Sequence, residues 1–276
     1  AESPSVAPQA ALTGSFFTIP SHESFLDSFV RGILDKTSSD PLHLADCTIL
    51  VPNGAMLRAL GAAFVRQLNG EARLLPKILS VGEMGDEQAG LSLSDNPMLA
   101  QRLADILPAI SPLERQLLLA QEILKVPGMA SSAQKAIKLG KELGRLIDEA
   151  QRYGVDLKNA PNIVPESFRA QWEKTADFLK IVTDTWPQKL KELGKIDPET
   201  RKSEIMRIHA EYWRLSKKPG PVFAAGFQDS APTTHDFLRA IALNPAGAIV
   251  LQGLDLGLEE TSWDKIAPTH PQYIMK

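Results

Sequence analysis

Cysteine is almost missing from this chain. Its 276 residues hold one, Cys47. A lone thiol makes no intrachain disulfide and no cysteine zinc site, and it suits a reducing, cytoplasmic compartment. Aromatic residues are sparse, at 6%. No run of about 18 apolar residues occurs, so no segment reads as a membrane-spanning helix and no membrane partner is expected. Residues 1–14 have neither the basic start nor the apolar core of a signal peptide. They are expected to be disordered or foreign to the natural chain. An excess of one charge is also lacking: 30 basic residues face 33 acidic ones, a net of -3. That argues against a protein that coats nucleic acid by bulk charge. What remains is a globular composition, 43% hydrophobic, on a chain long enough to bury a core unaided.

The near-neutral average hides an asymmetry. From Lys135 to Lys218 there are 18 basic and 13 acidic residues, a local +5. Exposed helices carry such charge routinely; a surface facing phosphate carries it too.

The patterning changes twice along the chain. Ser15–Ile19, Cys47–Val51 and Arg73–Val81 read as extended segments, the first two closed by Pro20 and Pro52. Between them, Ser24–Lys36 and Ala55–Leu68 have helical spacing, with Phe25, Phe29 and Ile33, then Leu57, Leu60, Phe64 and Leu68, on one face. This alternation predicts a parallel sheet with helical crossovers. From about Ser94 to Lys217 only helices are expected. Ser111-Pro112-Leu113-Glu114 is a capping box opening a helix to Val126. A second runs Ser132–Tyr153, with Ile137, Leu143, Leu146, Ile147 and Ala150 inward, and stops at Gly154. A third follows Pro165, its stripe running from Phe168 and Trp172 to Leu193, with a kink at Pro187. A fourth is capped by Asp197-Pro198 and turns Ile205, Ile208, Tyr212 and Leu215 inward. After the breakers Lys217–Pro221, a strand at Val222–Ala225, a helix at Thr233–Leu243 and a strand at Ala248–Leu251 restore the α/β pattern. The reading is one parallel sheet interrupted by a helical insertion. Its boundaries are 15–90 for the first part of the sheet domain, 91–218 for the insertion and 219–276 for the second part.

The turn after the first strand is where such a domain would cradle phosphate, at a helix N-terminus. A P-loop there needs glycines for close backbone approach, a lysine for the phosphates and a hydroxyl for Mg²⁺. The chain offers Pro20, Ser21, His22, Glu23 and Ser24, with no glycine and no lysine. The strand Val222–Ala225 should end in metal-binding carboxylates; it ends in Ala225, Gly226, Phe227 and Gln228, with Asp229 further on. Both halves of a nucleotide site are degenerate together, so neither a catalytic residue nor a cofactor is expected in this region. No histidine pair has metal-ligand spacing, and no serine sits in a nucleophile elbow. Asn53, Arg58 and Gln228 stand at loop or helix-start positions from which phosphate contacts are made; turn or cap chemistry explains them equally well.

Five segments occur in order: Phe16–Pro20, Thr48–Asn53, Ile196–Pro198, Ala224–Pro232 and Ile249–Asp255. Together they resemble the N-terminal region of AddB double-strand break repair subunits of the alphaproteobacterial type. The resemblance implies a RecA-like, superfamily-1 helicase-like domain that has lost its ATPase. Ser15–Ser24 would then stand at the P-loop strand and turn. Val51–Gly54 would lie at a motif touching single-stranded DNA, Val222–Asp229 at the Walker B strand, and Leu251–Asp255 at the sensor strand. It implies an AddA-like helicase–nuclease partner, a DNA end or single strand as ligand, and a part in reading the Chi hotspot. The nuclease domain of the family has no counterpart here, so the chain is expected to be a piece of a longer protein.

Overall fold

A computed structural model describes residues 15–37, 41–81, 93, 95–158, 179–216, 220–229 and 231–267. Phe168, Trp172 and His270 lie outside this set, as do residues 1–14. The chain forms two compact units. The first comprises Ala1–Leu99, Met206–Ser230 and Thr234–Lys276; the second comprises Ala100–Ile205 and Ala231–Thr233. Among the described residues no helix is long and apolar enough to cross a membrane.

The first unit is α/β. Its strands are β1 (Ser15–Ile19), β2 (Thr48–Val51), β3 (Lys77–Ser80), β4 (Val222–Ala225) and β5 (Gly247–Gln252). They form one all-parallel sheet in the order β1-β5-β4-β2-β3. Ser15 pairs with Ala248, Val222 with Gly247, and Thr48 with both Val222 and Lys77. The central strands are apolar without alternation because both faces are covered; all four residues of β4 are buried. Helices α1 (Phe25–Lys36) and α3 (Gly54–Gln67) lie on one face; α2 (Pro41–Asp46) precedes β2. Phe25, Phe29, Ile33, Leu60 and Phe64 pack there with Ile49, Val51, Phe223, Ala225 and Val250. Cys47 belongs to the same core, fully buried, with Sγ donating to the His43 carbonyl. Burial pushes its thiol up, and the nearby Asp46 carboxylate adds to that. At the edge, β1 leaves Phe16 and Phe17 47% and 39% exposed. The Lys36 ammonium lies 5.0 Å from the Phe17 ring centroid and partly covers it. Gly247 has no room for a side chain, since a Cβ there would overlap the Ile241 carbonyl oxygen.

Among its described residues the second unit is built of helices and holds most of α4 (Pro97–Ala104), with α5 (Pro112–Lys125), α6 (Ala133–Tyr153) and α7 (Trp186–Leu193). Helix α8 (Pro198–Leu215) passes from this unit into the first at Ile205–Met206, well before the Lys217–Pro221 breakers. The Ser111 and Ser132 side chains cap α5 and α6, and Gly154 ends α6 at a φ of 67°. Three details differ from the pattern reading. Ile137 and Leu146 stay 38% and 37% exposed, while Ala136, Gly140 and Gly144 are buried. Small residues win that face because α6 lies close on α5: a Cβ on Gly140 would sit 2.9 Å from the Gln116 carbonyl oxygen. Leu215, expected inward, is 57% exposed at the end of α8. Glu114 takes the Lys195 ammonium at 2.7 and 2.9 Å. Pro187 causes no simple kink; a π-helical turn, Ile181–Thr185, precedes it and Pro187 opens α7. A widened turn absorbs the donor that proline lacks.

Three helices of this unit meet at a polar core. Arg115 is 6% exposed and Asp197 2%. Their Nε and Oδ1 atoms are 2.9 Å apart, and a second Arg115 nitrogen reaches Asp148 at 2.7 Å. Trp186 Nε1 donates to both Asp197 oxygens at 3.1 and 3.2 Å, and Gln151 donates at 2.8 Å. Burial pushes the Asp148 carboxyl up, against the pull of Arg115. Arg152 pairs with Glu199 at 2.9 Å beside this core.

The strand ends as a candidate binding edge

Because the sheet is parallel, all five strands end at one edge, which is where open α/β sheets bind ligands. The turn after β1 is closed by the Glu23 amide donating to the Pro20 carbonyl at 3.0 Å. Pro20, Ser21, His22, Glu23 and Ser24 are all exposed. The start of α1 is supplied with the chain's own carboxylates. Glu23 accepts a 2.7 Å hydrogen bond from the Ser28 hydroxyl. Asp27 accepts from Ser24 Oγ at 2.8 Å and from Arg66 Nη2 at 2.8 Å. The Arg66 guanidinium, with the Ser24 hydroxyl, holds the Asp27 carboxyl below its ordinary range. Negative charge already stands where a helix N-terminus would receive a phosphate. Ser24, placed in the helix from the sequence, is instead its N-cap, and its hydroxyl donates to Asp27 rather than accepting from a helix amide.

The other loops close on this turn. Gly253 donates to the Ile19 carbonyl at 2.8 Å, and the Leu254 amide donates to Thr18 Oγ1 at 3.0 Å. Gly253 has a φ of 69°, and a Cβ on it would lie 3.4 Å from Ser21 Cβ. Ala225 is buried at the end of β4. Gly226 turns the chain at a φ of 75°, and a Cβ there would overlap the Met56 methyl group. Phe227 packs on Phe237 with ring centroids 5.9 Å apart. Gln228 donates to Gln252 at 3.2 Å, and Asp229 accepts from Thr234 at 3.4 Å. Among the described residues, no group of three or more His, Cys, Asp or Glu is placed to hold a metal ion.

Of the three residues expected to contact phosphate, Asn53 is the N-cap of α3 and accepts from the Met56 amide at 2.9 Å. Arg58 is exposed in the second turn of α3. Gln228 is tied to the β5 loop through Gln252. The edge brings Ser21 to Gly253 and Gly226 to Met56; among the described residues no hydrogen bond joins Arg58 to Gln228. Sequence reasoning missed Ser28, Arg66, Thr18 and Gln252. Ser28 lies one turn from Ser24 and was within reach of a local pattern. Arg66 is 39 residues from Asp27 and becomes visible only when α1 and α3 lie side by side. No family model matches the chain, and no curated protein aligns with it as a relative.

Proposed function

We propose that the chain is a helicase-like scaffold of AddB type, with a RecA-like sheet that has given up its nucleotide. It would hold DNA and an AddA-like helicase–nuclease subunit in a double-strand break repair complex. The observation that carries this reading is the turn after β1. In an active P-loop the backbone and a lysine surround a phosphate; here Glu23 and Asp27, held by Ser28, Ser24 and Arg66, stand at that helix start. Two further features support it. β5 lies between β1 and β4, so the counterparts of the sensor, P-loop and Walker B strands are neighbours. The end of β4 is apolar where an active site would present carboxylates. DNA held at this edge would lie near Asn53, Arg58 and Gln228, with Arg58 on phosphate.

The test is a pair of titrations. Calorimetry with Mg-ATP should show no binding, and a micromolar dissociation constant would refute the loss of the nucleotide site. Anisotropy with labelled single-stranded DNA, with and without an AddA-like subunit, should show weak, salt-sensitive binding. Arg58→Ala should weaken that binding alike for all sequences, because a phosphate contact carries no base information.

A second reading is favoured by one surface. Leu113, Leu117 and Leu124 of α5 are 66%, 43% and 48% exposed. At about 3.6 residues per turn they fall on one stripe. A protein-only interaction module would present such a stripe to a partner helix, and a Leu113→Lys/Leu117→Lys variant would then lose the partner subunit while DNA binding stayed unchanged.

A further inference from the structure

Helix α6 carries a row of cations close to its start. Acidic side chains stabilise the first turn of a helix and basic ones the last. Helices α1, α5 and α8 follow that rule with Asp27, Glu114 and Glu199; α6, like α3, α4 and α7, has no acidic residue in its first turn. It has Lys135, Lys138 and Lys141 in its N-terminal half, all exposed. Several other cations of this unit meet carboxylates: Arg115 with Asp148, Lys125 with Glu122, Arg145 with Glu142, Arg152 with Glu199, and Lys195 with Glu114. The three lysines have no such partner among the described residues. At about 3.6 residues per turn they centre on the side opposite Ala136, Gly140, Leu143 and Ile147, the residues buried in the unit. Gly140 meets the α5 backbone closely, which fixes that buried side. The result is a firmly seated helix that shows solvent three unpaired ammonium groups, with the first carboxylate only at Glu142.

We propose that this face of α6 binds the phosphate backbone of duplex DNA. This deepens the scaffold reading and rests on it only for the choice of nucleic acid as the polyanion. Three lysines spaced three residues apart span about 9 Å of helix axis at about 1.5 Å per residue, enough to reach two or three phosphates with flexible stems. No aromatic residue lies between Ala133 and Arg145, so the face lacks the stacking platform that single strands use. The recognition is of charge, without base readout.

The test uses the full chain and a labelled duplex of about 20 base pairs, with anisotropy read from 50 to 200 mM salt. Three phosphate contacts contribute about -2.7 to the slope of log affinity against log salt, or about a 40-fold loss over that range. Lys135→Gln/Lys138→Gln/Lys141→Gln should bind the duplex weakly and lose a slope of about 2 to 3. A control, Lys125→Gln/Lys189→Gln/Lys202→Gln, changes net charge equally but at lysines paired with carboxylates; it should keep the parent's slope. Circular dichroism checks that each variant is folded. If the first variant keeps the parent's affinity and slope, or the control loses as much, the proposal is overturned. Parent protein that fails to bind the duplex at 50 mM salt overturns it too. Arg58→Ala reports separately on the strand-end site: loss there with no loss from the lysines refutes this inference and leaves the scaffold reading standing.

Discussion

Replacing Asp197 by alanine should damage the helical unit far more than a surface substitution would. The carboxylate is 2% exposed, and Arg115 beside it is 6% exposed. Removing Asp197 strips the Arg115 Nε of its 2.9 Å partner and the Trp186 Nε1 and Gln151 Nε2 of their acceptor. Asp148 still holds one guanidinium nitrogen, but it carries part of the positive charge alone. Breaking a buried pair by deleting one partner costs about 3–5 kcal/mol. At about 2–4 °C per kcal/mol for a chain of this size, the melting temperature should fall by about 10 °C. Circular dichroism at 222 nm and urea titration would both read the loss. A double variant, Arg115→Met/Asp197→Leu, removes both charges and should recover part of the stability, because apolar replacement of a buried ion pair is often neutral or better, while Trp186 Nε1 and Gln151 stay without their acceptor. The reasoning fails if Asp197→Ala costs less than about 1 kcal/mol, or if the double variant is less stable than the single one.

Other perturbations give equally direct readings. His209 is buried and its pKa is pushed down to about 4, chiefly by burial with Lys77 adding to it. The unfolded chain binds this proton near pH 6.5, so the stability it contributes is complete above pH 6.5 and drains as pH falls towards 4. That loss is about 3 kcal/mol, and His209→Phe should flatten this part of a stability-against-pH curve. Asn53→Ala should cost about 1 kcal/mol through loss of the α3 cap, measured by urea titration, whatever its effect on DNA. Gly247→Ala should cost several kcal/mol or abolish folding, because its Cβ meets backbone rather than a movable side chain; expression with intact near-ultraviolet dichroism would contradict this.

Legibility followed locality. β4 was read residue for residue because Pro221 and Gly226 punctuate a short apolar run. α6 was read to within a residue at its start because Ser132 caps it, and its end was marked by Gly154. β3 is shorter than the extended segment suggested: only Lys77–Ser80 find β2, while Leu74 and Leu75 stay exposed. No pattern announced α2, whose six residues are too few to show periodicity. Ile137 and Leu146 were misassigned because periodicity sees hydrophobicity, whereas close helix packing selects for size. At the strand ends the same division holds. The missing lysine and glycines were plain in the letters Pro20–Ser24, but the Arg66 contact that secures Asp27 is a fact of tertiary neighbourhood. Asp197 read as a helix cap, and nothing local disclosed that Arg115 would reach it.

The order of strands also sets a timetable for synthesis. Among the described residues β1 pairs with β5 alone, where Ser15 meets Ala248, and β2, which finds β3 early, waits for β4 on its other side, where Thr48 meets Val222. A ribosome adding about 5–20 residues per second finishes β1 on the order of ten to fifty seconds before its partner exists. During that interval Phe16 and Phe17 belong to an unpaired apolar strand, while α5 and α6 have already emerged complete and can pack on each other. The helical insertion is therefore free to mature first, and the sheet is completed late. A chain stalled or cut before residue 247 would leave β1 an open edge, ready to pair with a neighbour of its own kind.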